Sequence, residues 1–187
     1  MKIRNLISGL AIALVVAVCA LAPQKSEAAA LSNFLQNKYI DWLLRAQTYT
    51  PPSTVYVALS TSAGSAAACG TEVSGGSYSR VAVSSSLANW AGTQGSGTTT
   101  ASSGTSGQTS NNGTITFPAP TAAWGVIVGF CVFDASTSGN LLFYAPLTTS
   151  KTVNSGDAAP SFAAGSLTYT INLYRDARDE GLHAVLA

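Results

Sequence analysis

The sequence predicts an all-β fold, an antiparallel β-sandwich or jelly-roll-like domain preceded by one amphipathic helix. Three observations carry this. Six to eight short runs rich in β-branched and aromatic residues are separated by Gly/Ser turn signals. Only one stretch has helical spacing of its apolar residues. Charged residues make up 9% of the 187-residue chain, against about 25% in an ordinary globular protein, and Ser, Thr, Gly and Ala take their place.

The helix is expected over residues 31–46. Ser32 is its cap, and Leu31, Phe34, Leu35, Tyr39, Trp42 and Leu43 recur at three- and four-residue intervals to form one apolar stripe. Thr50-Pro51-Pro52 then prevents continuation. Strands follow at 54–60 (TVYVALS), at 78–84 (YSRVAVS) after the turn around Gly75-Gly76, and at 114–117 (TITF). Residues 125–134 (GVIVGFCVFD) are apolar on both faces and so belong in the middle of a sheet. Residues 140–147 follow the turn Ser138-Gly139-Asn140, 151–154 make a short strand, and 166–173 alternate cleanly. The antiparallel domain spans residues 50–174, with Val126, Val128, Val132, Phe143, Leu167 and Ile171 expected in its core. The segment 91–113 has neither charge nor a large apolar residue, which predicts a flexible surface loop or an extended hairpin. Residues 175–187 form a charged tail.

Residues 1–28 have the zones of an export signal: Lys2 and Arg4, an apolar run from Leu6 to Ala22, then Ser26 and Ala28 at −3 and −1 of a cut after Ala28. Three other readings stand beside it. The run is just long enough for an uncleaved membrane anchor. Cys19 suggests a lipoprotein, although Val18 stands where a small residue belongs. The start itself is misplaced if translation begins near Leu31 through an alternative codon. Without residues 1–28 the chain keeps six basic and seven acidic side chains, with no Lys/Arg stripe of the kind that displaces counterions from nucleic acid.

Catalytic machinery is sparse. The single histidine, His183, lies in the tail, so no serine has an imidazole to activate it, and G-x-S-x-G is missing. The carboxylates available for acid–base pairing are Asp41, Glu72, Asp134 and Asp157, which read as helix-face and turn residues. Lys151 stands outside any Gly-rich phosphate loop. No cofactor or metal is expected. Cys69 and Cys131 can pair in an oxidising compartment, and the alternative is that Cys131 is simply a small buried hydrophobe. Trp90 and Trp124 flank the polar loop. Either they stack on sugar rings through an exposed face or they close the end of the core.

The stretches TPPSTVYVALSTS (50–62), GTEVSGGSYSRVAV (70–83) and ITFPAPTAAWGVIVGFCVFDASTSGNLLFYAPLTTSKTVNSGDAAPSFAAGSLTYTI (115–171), with LSNFLQNKYIDWLL (31–44) before them, resemble a family of small phage and prophage virion proteins, described as tail-fibre-like or head-decoration (cement) proteins. The pair E-V-S-G-G-S-Y-x-R and F-D-A-x-x-x-G-N-L-L-F-Y is its most specific feature. The resemblance implies a β-sandwich assembled on a particle, without enzymatic activity, among capsid or tail proteins. This chain differs in its signal-like leader, its longer loop at 91–113 and its charged tail. The leader raises an alternative: a prophage-derived module, secreted or periplasmic, that binds glycans or cells. On either reading a homo-oligomer is expected, with a trimer favoured and Phe34, Tyr39, Trp42 and Leu43 as the contact between subunits.

Overall fold

The computed structural model describes residues 30–171; the leader at 1–28 and the tail at 175–187, with His183, lie outside the described residues. The elements are β1 (Ala30–Leu31), α1 (Asn33–Leu44), β2 (Thr54–Ser60), β3 (Val81–Ser84), β4 (Gln108–Ser110), β5 (Ile115–Thr116), β6 (Gly125–Phe133), β7 (Leu141–Val153), β8 (Ser161–Phe162) and β9 (Thr168–Thr170). An antiparallel five-stranded sheet has the order β1-β7-β6-β2-β3, and two ribbons, β4–β9 and β5–β8, complete a mostly β fold with no closed barrel.

β6 is the middle strand, as its apolar run predicts, and both of its faces are covered. Ile127, Phe130 and Val132 join Val55, Val57 and Leu59 of β2 in the main core, together with Ile115, Phe117, Leu167 and Tyr169 from the ribbons and the segments beside them. Cys131 and Phe133 point the other way, into a second cluster with Ala58, Cys69 and Leu141.

The expected core needs correction at two positions. Simple alternation puts Val126, Val128 and Val132 on one face. A register irregularity between Ile127 and Gly129 changes the parity of the strand. Ile127 therefore faces the core, Val128 is half-buried, and Val126 is 47% exposed. Ile171, beyond the end of β9, is 48% exposed rather than central. Val132 and Leu167 are buried and Phe143 is partly buried against the main core.

The helix is shorter than 31–46. Ser32 accepts the Leu35 N–H at 3.1 Å, and the Arg45 N–H closes the far end on the Asp41 carbonyl. Leu31 is a strand residue paired with Phe143. Ala46, with a φ of 53°, turns the chain away before the two prolines act. β3 starts at Val81 rather than Tyr78, and the two strands expected around 140–154 are one strand of 13 residues, irregular near Pro146.

The polar stretch from Ala91 folds on its own side chains. The Gly92 N–H donates to Thr98 Oγ1 at 2.8 Å, Ser106 Oγ to the Thr93 carbonyl at 2.7 Å, and Gln94 Nε2 to Ser103 Oγ at 3.0 Å. Its return leg becomes β4, followed by the fully buried Asn111. That amide donates to the Gly113 and Ala163 carbonyls at 2.7 and 2.8 Å and accepts the Leu167 N–H at 2.9 Å. Hydroxyls and amides here supply the partners that a buried backbone requires.

The register irregularity yields a direct test. Ile127→Ala should destabilise the fold by about 2–4 kcal/mol, because it opens a cavity in a close-packed core. Val126→Ala, one residue away, should cost less than about 0.5 kcal/mol. Chemical denaturation of the two variants checks the assignment, and equal costs would contradict it.

Candidate functional site

The two sequence stretches singled out above meet in space. Arg80 lies between them with its side chain 8% exposed. Its Nε and Nη2 donate to the two oxygens of Glu72, both at 2.8 Å. Its Nη1 donates to the Ala135 and Ser138 carbonyls, both at 2.8 Å, and the guanidinium lies 3.5 Å from the centre of the Phe133 ring. The planar fork thus meets a carboxylate, two carbonyls and an aromatic face at once, a combination that suits arginine and not lysine.

The groups around Arg80 are locked in turn. Tyr78 donates its hydroxyl to Glu72 at 3.1 Å and accepts the Leu59 N–H at 2.9 Å. Burial pushes this phenol well above its ordinary pKa, with the nearby Glu72 carboxylate adding to the effect and the Leu59 hydrogen bond opposing it. Asp134 accepts from the Asn140 backbone N–H at 2.6 Å and from its side chain at 2.7 Å, closing the 134–140 turn. Gly139 sits there at a φ of 74°, where an added Cβ would stand 2.6 Å from an Asp134 oxygen.

All four candidate carboxylates have local partners. Glu72 holds Arg80, Asp134 holds Asn140, Asp41 pairs with Arg45 one helical turn on at 2.7 Å, and Asp157 accepts the Asn154 N–H at 2.8 Å. Such bonds fix turns and a helix surface. Among the described residues no cluster of three or more His, Cys, Asp or Glu is placed to hold a metal ion. No described helix is long and apolar enough to cross a membrane. Cys69 and Cys131 are joined as a disulfide with Cα atoms 5.7 Å apart.

The tryptophans divide. Trp124 is 5% exposed, donates its indole N–H to the Gly76 carbonyl at 3.0 Å and meets Tyr78 edge-on at 5.3 Å. Its role as a sugar-stacking platform is corrected: a ring enclosed on both faces closes the core. Trp90 is half-buried against the main core and bridges to Asn111.

The exposed apolar surface gathers on α1. The helix buries no residue; Phe34 and Leu35 lean on the core. Tyr39, Trp42 and Leu43 are 40, 56 and 53% exposed, with Ile40 and Leu44 beside them. Phe34 thus stands apart from the other three residues expected at a contact. Leu35, Tyr39 and Trp42 border a groove of about 170 Å³ whose other walls include Leu31, Tyr49 and Ile171. Helical spacing gave no sign of Tyr49, which reaches the groove from just beyond the helix, or of Ile171, which reaches it from the far end of the described chain.

Residues 30–170 match the family model described as the podophage GP4 fiber I protein gp80. The chain belongs to this family. The matched span takes in α1, the sheet, both ribbons and the Arg80 cluster, so the gp80 family pattern extends over nearly the whole described fold. No curated protein matches the chain.

Two outcomes follow from this cluster. Gly139→Ala should cost about 1–3 kcal/mol, since it forces a Cβ into a left-handed, crowded position; equilibrium unfolding measures it, and an unchanged midpoint would show that the turn tolerates a side chain. Tyr78 and Tyr169 are both held neutral by burial, with phenol pKa values raised above 10.0. Their contribution is fully present below pH 10 and is lost as pH rises toward the raised folded-state values, because only the unfolded chain ionises freely in that window. Stability should therefore fall above pH 10, and less steeply in Tyr78→Phe. An alkaline unfolding series checks the slope, and identical slopes would remove Tyr78 from the account.

Proposed function

We propose that this protein is a non-enzymatic structural subunit of a phage virion, of the fibre type, built as a β-sandwich in which the two ribbons serve as the second layer. The observation that carries this reading is the family match over residues 30–170. The local engagement of Asp41, Glu72, Asp134 and Asp157 supports it, since each is committed to a turn or an ion pair rather than to an open cleft. On this reading the chain resides in the particle alongside other fibre, tail or capsid proteins.

The exposed face of α1 is the contact through which copies associate. Tyr39, Trp42 and Leu43, with Ile40, place several large apolar side chains in solvent on one short helix. A lone soluble subunit gains nothing from that arrangement, and a buried contact removes it from water. A trimer closes such a head-to-tail contact without leaving an open end.

Two experiments test the reading. Mass spectrometry of purified particles should recover peptides from residues 30–171; their absence, together with specific binding on a glycan array, would overturn the virion role. Light scattering at tens of micromolar should show an oligomer that Trp42→Glu with Leu43→Glu converts to monomer. A monomeric native chain would overturn the self-association.

A further inference from the structure

We propose that the Cys69–Cys131 crosslink steadies the seat of α1, so that the oxidation state of this pair sets how firmly the Asn33 N–H at the helix start is held by the loop tip beside the sheet edge. The inference is independent of the virion reading, because it concerns only contacts within one chain.

The loop between β2 and β3 is closed at its base by backbone bonds, Thr61 N–H to the Thr71 carbonyl at 2.9 Å and Val73 N–H to the Leu59 carbonyl at 3.0 Å. Its tip, residues 63–68, is Ala-Gly-Ser-Ala-Ala-Ala. Side chains so small bury little apolar area, so they hold a loop in place weakly. Cys69 ends the tip, is 6% exposed, and is tied to Cys131 near the C-terminal end of β6. The covalent bond is the tip's strongest tether to the sheet.

The tip in turn holds the helix. Ser65 and Ala68 exchange backbone hydrogen bonds at 2.7 and 3.2 Å, which turns the Ala66 carbonyl outward to accept the Asn33 N–H at 2.8 Å. That N–H opens α1 and has no partner inside the helix. Ser32 adds its own ties, its N–H to the Leu142 carbonyl at 2.9 Å and its hydroxyl to the Leu141 carbonyl. Because α1 buries no residue, its position depends heavily on this N-terminal anchorage.

The oxidant is a small-molecule disulfide, R–S–S–R. The thiolate of Cys69, the less buried of the pair, attacks one sulfur and releases R–S⁻; Cys131 then displaces the second R–S⁻. The cysteines give up two protons and two electrons, and R–S–S–R becomes two R–SH.

Amide hydrogen exchange on the full chain tests the coupling, comparing the oxidised protein, the same protein reduced with a small dithiol, and Cys69→Ala with Cys131→Ala. Reduction should lower protection at Asn33 on the order of tenfold, the loss expected for one released hydrogen bond. Reoxidation should restore it, while the β6 amides from Phe130 to Val132 stay protected. Equal protection of Asn33 in the oxidised and reduced chains would overturn the proposal. So would parallel loss in β6 or unfolding of the reduced chain, since the crosslink would then be holding the whole sheet. If the double variant does not fold, the reduced native chain decides alone.

Discussion

The fold depends on one buried arginine. Arg80 joins two separate stretches: the β2–β3 loop, where it meets Glu72, and the Phe133–Ser138 turn between β6 and β7. An arginine side chain at 8% exposure is costly to bury alone, and here all three guanidinium nitrogens donate hydrogen bonds while the group lies over the Phe133 ring. The hairpin from β6 to β7 closes with two of its turn carbonyls, Ala135 and Ser138, accepting from Arg80. Asp134, Asn140 and Gly139 shape that turn. The most distinctive residues of the sequence are therefore those that assemble the cluster, which gives an architectural reason for their pattern.

The cluster also explains how β6 is buried on two sides. The main core covers one face with the ribbons, while Cys69 and the Arg80 guanidinium lie over Cys131 and Phe133 on the other. Glu72 and Cys69 are three residues apart, so one loop supplies both the partner of Arg80 and the crosslink to β6. The polar stretch after Ala91 is tied to the fold by different means, through the β4–β9 ribbon. Its anchor is Asn111, whose side chain ties the 163–167 segment at the Ala163 carbonyl and the Leu167 N–H and adds a third hydrogen bond to the Gly113 carbonyl.

Much of this was legible in the sequence. The run at 125–134 announced a central strand because both of its faces are apolar, and TVYVALS marked β2 at its observed bounds. Ser32 read correctly as the cap of α1. Other features depend on partners far away in the chain. A two-residue strand such as β1 exists only because Tyr144 and Phe143 face it, and β8 only because Ile115 and Thr116 do. The parity change beside Val128 is a property of strand pairing, invisible to alternation. Trp124 read more readily as a plug than as a platform, and Gly76 and Tyr78 stand around it as a plug requires. The four carboxylates read as helix-face and turn residues, and nothing local marked Glu72 as the one that meets a buried cation.

The central claim is that the Glu72–Arg80 pair is an architectural joint in a structural protein. A double-mutant cycle with Glu72→Gln and Arg80→Met, followed by equilibrium unfolding, measures it most directly. The account predicts a coupling energy of about 2–3 kcal/mol, with the double variant closer to the native chain than the two single losses summed. Additive losses, with coupling near zero, would contradict it.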